Sequence, residues 1–268
     1  MKRLFSLLAP LLLRTVSACS AEGSSTISLD GSTSMEQVIG ALIEGYENTD
    51  TRINYSGTGS GAGIEAVLSG ICDIGLSSRA LKDSEIEEGA QGHLIALDGI
   101  AVIVNAKNVL NDLTAQQLYD IFTARVTNWT QLGGSDAPIA VYGREAGSGT
   151  REAFEAALGI VDRCIYINEY GSNGDITGNV STNPNAIGYV SLSGVKGQTK
   201  ALSINGIPCS AGTIRSGSYP LQRPFFLVTD RNRPLSAQAR AFLDYAIGST
   251  AAQYIEIAGA VAPNHFRE

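Results

Sequence analysis

The sequence has few of the residues that catalysis and metal binding most often use. Among its 268 residues there are only two histidines and four cysteines. Neither histidine lies near a serine-rich motif, and no Cys/His spacing typical of a metal site occurs. The G-x-S-x-G turn of serine hydrolases is also missing. We therefore expect no metal, no cofactor and no enzyme activity such as that of a phosphatase or a serine hydrolase.

The chain also lacks an excess of positive charge and a long hydrophobic run. It has 19 Lys and Arg against 26 Asp and Glu, a formal net charge of −7. A nucleic-acid-binding protein needs a basic face, so nucleic acid is excluded as a partner. The apolar run at 4–13 is too short to span a bilayer, and no later segment is long and apolar enough to do so. The length fits one large domain or two modest ones.

The N-terminal segment has the features of an export signal. Lys2 and Arg3 precede the apolar run, and Val16-Ser-Ala-Cys19 follows it. Small residues before a cysteine resemble the lipobox of bacterial lipoproteins, although Arg14 departs from the usual pattern. We expect a signal peptide at 1–19, lipidation of Cys19 and a tether at 20–26. The protein would then be exported, either lipid-anchored on the outer face of the cell membrane or periplasmic; an ordinary buried helix is the alternative.

Three further cysteines, Cys72, Cys164 and Cys209, leave at least one free thiol outside the cell. A Cys164–Cys209 bridge and buried free thiols both fit the sequence.

Strand-like and helix-like segments alternate along the chain. Apolar runs and two-residue alternation predict strands at 27–30, 53–56, 73–76, 94–105 (interrupted at Asp98), 139–142, 186–192 and 225–228. Helical spacing predicts helices at 35–46, 62–68, 81–88, 115–122, 150–158, 237–247 and 251–258. Thr33 and Glu36 have the spacing of a capping box, and Thr114-x-x-Gln117 opens the helix at 115–122. The alternation predicts an α/β fold with mostly parallel strands.

Four Ser/Thr/Gly clusters fall at the predicted strand-to-helix junctions. They are Gly31-Ser-Thr-Ser34, Gly57-Thr-Gly-Ser-Gly-Ala-Gly63, Asp73-Ile-Gly-Leu-Ser-Ser-Arg79 and Arg144-Glu-Ala-Gly-Ser-Gly-Thr-Arg151. A helix start presents unpaired N–H groups and the positive end of the helix dipole, and glycines and hydroxyls let an anion approach. Each cluster alone fits an ordinary cap or turn. Together, at strand ends of one α/β chain, they predict a pocket for a small oxyanion.

The last cluster carries the charge that such a pocket needs. Arg144 offers a planar, permanently charged fork that suits an oxyanion, and Ser148, Gly149 and Thr150 add N–H and hydroxyl donors. No lysine precedes Thr150, so the motif is not a nucleotide-binding P-loop. We expect Arg144 to be the only strong positive charge facing the anion.

The order of these motifs resembles the phosphate-binding lipoprotein of the bacterial high-affinity phosphate ABC transporter. Further matching segments are Asp98-Gly-Ile-Ala-Val-Ile-Val-Asn105, Val126-Thr-Asn-Trp129 and Ile187-Gly-Tyr-Val-Ser-Leu192. The resemblance runs from about residue 27 to the C-terminal helices. It implies a two-lobed fold of the type II periplasmic-binding-protein kind, closing on phosphate about a hinge of two crossover strands. The lobes would be 27–104 with 225–268, and 105–224.

The resemblance also implies ligands and partners. Phosphate would be bound by first-lobe residues Thr33, Ser34, Ser60 and Ser78, and by second-lobe residues Arg144, Ser148, Gly149 and Thr150. The protein would be a monomer that delivers phosphate to the permease subunits. A binding protein for sulfate or molybdate, and a sensory or adhesion module with the same fold, are the alternatives.

Ser78 stands where some family members carry an aspartate that accepts a hydrogen bond from the proton that phosphate retains near neutral pH. We hypothesise that Asp98, which interrupts an apolar run where an unpaired carboxylate is costly, supplies this acceptor; a turn residue is the other interpretation. Arg79 is expected on a lobe surface or just outside the site.

Overall fold

The computed structural model describes residues 25–48 and 50–266. The predicted signal peptide, Cys19 and residues 20–24 lie outside the described residues. Within them no helix has the length and apolar character needed to cross a bilayer.

Strands and helices alternate through most of the described chain. The strands are β1 Ser25–Gly31, β2 Thr51–Gly57, β3 Ile74–Ser77, β4 Ala90–Asn105, β5 Asp112–Leu113, β6 Ala140–Arg144, β7 Asn168–Tyr170, β8 Ala186–Ser191, β9 Thr199–Ala201, β10 Ser203–Ile204 and β11 Gln222–Asp230. The helices are α1 Glu36–Gly45, α2 Ser60–Leu68, α3 Asp83–Glu88, α4 Ala115–Phe122, α5 Gly149–Leu158, α6 Asn173–Thr182, α7 Ala211–Arg215, α8 Ala237–Ala246 and α9 Ala252–Ile257. Short 3₁₀ turns lie at Thr33–Met35, Trp129–Leu132, Leu192–Gly194, Ser249–Ala251 and Asn264–Phe266.

The main sheet has the strand order β2-β1-β3-β11-β4-β8-β6-β7, with β9 beside β4. Its two ends are parallel, because β1 pairs with β2 and β3, and β6 with β7 and β8, in the same direction. Its middle is antiparallel, where β11 runs against β3 and β4, and β4 against β8 and β9. The sheet is therefore mixed, and the α/β class is confirmed.

The two largest hydrophobic cores of the described chain lie in two different lobes. The first core, in the first lobe, surrounds β1, α1 and α8 and includes Ile27, Leu42 and Phe242. The second core, in the second lobe, surrounds α4, α5 and β8 and includes Phe122 and Tyr189. The long strand β4 contributes to both, and so joins the lobes.

The chain crosses from the first lobe to the second close to Asp98. Ile95 and Ala96 of β4 pack in the first core, whereas Ile100, Val102 and Val104 pack in the second. β11 begins opposite Gly99, with Arg223 opposite Asp98, and carries the chain back to the first lobe. The two-lobed fold with two crossover strands agrees with the expected architecture, but residues 100–104 pack with the second lobe rather than the first.

The start of the first strand differs from expectation. Ser25 and Thr26, predicted as the end of a tether, pair with Thr51 and Arg52 of β2. The first strand thus starts earlier, because parallel pairing adds backbone hydrogen bonds that the short apolar pattern does not reveal.

The thiols of Cys72, Cys164 and Cys209 are all free in the structure. Cys209 packs against Gly99 of the crossover strand. Burial raises the pKa of Cys164 and of Cys209 to about 12, so neither is a reactive thiolate at neutral pH.

Candidate functional site

The predicted Ser/Thr/Gly clusters meet at the face between the two lobes. The Ser34 hydroxyl lies 2.5 Å from the Thr150 hydroxyl, and both side chains are buried. The Arg144 Nη2 group donates to the Thr33 hydroxyl at 2.7 Å. Side chains of the first lobe therefore bond directly to side chains of the second lobe.

Ser78 lies among hydroxyls on the first-lobe side of this contact. Its Oγ accepts from Ser32 Oγ at 2.8 Å and lies 3.2 Å from Ser60 Oγ, while its N–H donates to Ser60 Oγ at 3.0 Å. All three serines are buried. Hydroxyls both donate and accept, so such a cluster can turn its donors toward an anion.

The N-terminus of α5 faces this cluster from the second lobe. Ser148 is the N-cap, and its Oγ accepts from the Arg151 N–H at 3.4 Å. A Cβ atom on Gly149 would lie 2.1 Å from Ser60 Oγ and 2.7 Å from Ser78 Oγ. Glycine is thus required for the helix start to approach the hydroxyls.

Arg144 ends β6 and is a buried cation with neutral partners. Its guanidinium donates to the carbonyl oxygens of Tyr170 at 3.0 Å and Gly171 at 2.6 Å, to Asn173 Oδ1 at 3.2 Å and to Thr33. Within the described part of the chain it forms no salt bridge, and only 2% of the residue is exposed. Burial, helped by the nearby charge of Arg223, lowers its pKa to about 10. A buried cation without a carboxylate partner favours an anion.

Asp98 lies at the crossover, where both of its carboxylate oxygens have partners. Oδ1 accepts from the Ser191 hydroxyl at 2.8 Å and the Leu192 N–H at 3.3 Å. Oδ2 accepts from Arg223 Nε at 2.9 Å. Burial raises the pKa of Asp98, and the Arg223 guanidinium opposes that shift. The proton-accepting role suggested for Asp98 remains a prediction.

Arg223 is the site residue that sequence reasoning missed. Its Nη1 group donates to the Thr150 hydroxyl at 2.7 Å and to the Ser78 carbonyl at 3.4 Å. A second buried guanidinium therefore lies beside these residues, and the expectation that Arg144 is the only strong positive charge facing the anion remains a prediction. The sequence contained a signal for Arg223, because only Pro224 separates it from the apolar run at 225–228, where a charged residue needs a partner.

Arg79 lies at the rim of the lobe contact and not on a surface, as 5% of it is exposed. It pairs with Glu85 of the first lobe at 2.7 Å and with Glu152 of the second lobe at 3.0 Å. Lys82 also reaches Glu152, at 2.8 Å. We call these three pairs the rim ion pairs.

Thr33 does not cap α1, contrary to the predicted capping box. Ser32 is the N-cap of the preceding 3₁₀ turn, and its Oγ accepts from the Ser34 N–H. The Thr33 hydroxyl instead donates to the Gly171 carbonyl at 3.2 Å and accepts from Arg144. A tertiary contact has replaced the local one.

Among the residues that the structure describes, no group of three or more His, Cys, Asp or Glu side chains could hold a metal ion. The donors gathered here are hydroxyls, N–H groups and two guanidinium groups, a set suited to binding a small oxyanion by hydrogen bonds and charge.

Comparison with known proteins places the chain in a family. A model of the PBP superfamily domain matches residues 16–250. The phosphate-binding protein PstS of Bacillus subtilis is 34% identical over 231 residues, covering 84% of this chain and 75% of that protein. PstS of Borreliella burgdorferi is 28% identical over 249 residues, covering 87% and 88%.

A solved structure gives the same picture. A Clostridium perfringens protein, described as a phosphate ABC transporter substrate-binding protein and crystallised with bound phosphate, superposes with a TM-score of 0.86. It is 34% identical, and the match covers 90% of this chain and all of that one. The fold and the site define a two-lobed binding protein. The chain belongs to the PBP superfamily and, within it, to the family of the phosphate-binding proteins PstS.

Proposed function

We propose that this protein captures inorganic phosphate outside the cytoplasm and delivers it to the permease of a phosphate ABC transporter. It acts as a binding protein and not as an enzyme, in keeping with relatives named as phosphate-binding proteins and a structural neighbour that holds phosphate.

One observation carries the proposal. Arg144 is a buried cation whose partners are all neutral, and it lies beside hydroxyls from both lobes and the N-terminus of α5. Burying a charge without a counter-ion is costly, so the arrangement is completed by an anion that brings negative charge. A tetrahedral oxyanion has enough acceptor oxygens to take several of these donors at once.

The residues that we propose as phosphate ligands come from both lobes. They are Thr33, Ser34, Ser60 and Ser78 from the first, and Arg144, Ser148, Gly149 and Thr150 from the second. Direct bonds such as Ser34–Thr150 support this, because an anion bound beside these hydroxyls would contact both lobes. Binding would thereby favour the state in which the lobes are together.

We propose further that the first 19 residues are a signal peptide, that lipid on Cys19 anchors the protein to the outer face of the membrane, and that it is a monomer. The lobes would be residues 25–98 with 224–266, and 99–223. Mass spectrometry of the mature N-terminus tests the anchor: an unmodified Cys19, or a chain that still begins with Met1, would refute it.

Calorimetric titration of the purified protein with phosphate, arsenate and sulfate tests the function. We expect phosphate to bind with one site per chain. Sulfate or molybdate binding in preference to phosphate would favour a different transporter. Binding of none of these anions would favour a sensory or adhesion role.

A further inference from the structure

Two charged residues of the site, Arg223 and Asp98, lie on the two strands that cross between the lobes. They are direct partners in the antiparallel register of β11 and β4. Their side chains are 1% and 0% exposed, and Arg223 Nη2 lies 2.9 Å from Asp98 Oδ2. The pair is thus held by strand pairing and not by a loop.

The protein already supplies most of the hydrogen bonds that Asp98 can accept. An ionised carboxylate offers about four lone-pair positions. Ser191 and Leu192 donate to Oδ1, and the Nε group of Arg223 donates to Oδ2. The Nη2 group of Arg223 also lies 2.9 Å from Oδ2, as an ion-pair contact without a hydrogen bond. The carboxylate is therefore directed at Arg223 and the second lobe.

The guanidinium of Arg223, by contrast, extends beyond the carboxylate of Asp98 to the contact between the lobes. Nη1 bonds to the Thr150 hydroxyl, which in turn contacts Ser34, and it also approaches the Ser78 carbonyl. The guanidinium therefore reaches groups of both lobes. Burial and the positive charge of Arg223 both lower the pKa of Arg144.

We propose that Arg223 is a second anion-binding cation of this site and that Asp98 serves as its counter-ion instead of accepting a hydrogen bond from the ligand's proton. The inference rests on the proposed function. A dianion set between Arg144 and Arg223 would relieve the repulsion between them. Because no free carboxylate then faces the anion, selection between hydrogen phosphate and sulfate depends on hydroxyls, which can accept or donate.

The test compares Arg223→Gln with Asp98→Asn by calorimetry with phosphate and with sulfate. Arg223→Gln is expected to weaken phosphate binding by about tenfold or more, because a charge-assisted donor is lost. Asp98→Asn is expected to bind phosphate as tightly as the natural protein or more tightly, with the phosphate-to-sulfate affinity ratio unchanged within about twofold. Arg240→Gln, a change on the exposed face of α8, is the control.

The opposite effects of the two changes separate anion contact from a purely structural role. If the pair only held the strands together, both variants would lose the same affinity, and that result would overturn the proposal. Loss of phosphate-over-sulfate selectivity in Asp98→Asn alone would restore the proton-acceptor role and also overturn it.

Removing one partner of a buried pair can prevent folding. Arg223→Lys therefore accompanies the set, since it keeps the charge opposite Asp98 but loses the planar fork. We expect it to melt cooperatively and to bind phosphate about threefold to tenfold more weakly; unchanged affinity would overturn the proposal. Absence of phosphate binding in the natural protein would refute the proposed function itself, whatever the variants do.

Discussion

The cations in the inner part of the lobe contact differ from those at its rim in the partners that surround them. At the rim, Arg79 and Lys82 each face the carboxylate of Glu152, and Arg79 has Glu85 as well. In the inner part, Arg144 has only neutral partners in the described chain. Arg223 pairs with Asp98, which also accepts hydrogen bonds from Ser191 and Leu192. The protein's own carboxylates neutralise the cations of the rim. The charge of Arg144 in the inner part is not neutralised in this way, which supports the proposal that an anionic ligand binds there.

The largest expected effect comes from removing the uncompensated charge. Arg144→Ala should weaken phosphate binding by at least about tenfold, because a desolvated dianion loses a strong counter-charge. Calorimetry measures the loss, and Arg240→Ala on the exposed face of α8 is the control. Near-natural affinity in Arg144→Ala would mean that the anion binds elsewhere.

A second change blocks the inner contact without altering any charge. Gly149→Ala places a Cβ atom 2.1 Å from Ser60 Oγ. We expect about tenfold weaker phosphate binding, because the start of α5 must withdraw from the first lobe. Gly178→Ala is matched to it, since its Cβ meets nothing within 4 Å. Equal affinities for the two variants would show that the close approach is not needed.

The smallest effect is expected at the rim. Glu152→Gln removes the charge that Arg79 and Lys82 share across the lobes. Partly exposed ion pairs contribute about 0–1 kcal/mol, so phosphate affinity should fall about twofold to fivefold, and less at high salt. Asp244→Asn breaks a pair within α8 and serves as the control. A loss as large as that of Arg144→Ala would contradict the division between rim and interior.

Local signals in the sequence were reliable where the structure depends on neighbours in the chain. The helix α4 has the predicted bounds, and Thr114 and Gln117 cap it reciprocally as their spacing suggests. The Ser/Thr/Gly clusters were also recognisable, because a glycine or hydroxyl at a helix start has a local reason.

Contacts between distant segments were not predictable in the same way. Asp98 suggested an interruption, yet β4 runs continuously through it because Arg223, 125 residues later, neutralises it. The same pairing extends β11 upstream of the predicted 225–228 to Gln222. Strand register over such a separation depends on the whole sheet, so a single chain pattern does not reveal it.

The two lobes also touch through bare backbone. The Gly61 N–H donates to the Gly147 carbonyl at 3.2 Å, and a Cβ on Gly59 would lie 3.1 Å from that oxygen. Gly59 has a φ of +104°, which side chains rarely adopt. In an exhaustive mutational scan, Gly59 should tolerate almost no replacement, although it has no side chain that could bind a ligand. Positions of this kind would mark the surface along which the two lobes meet when the molecule closes.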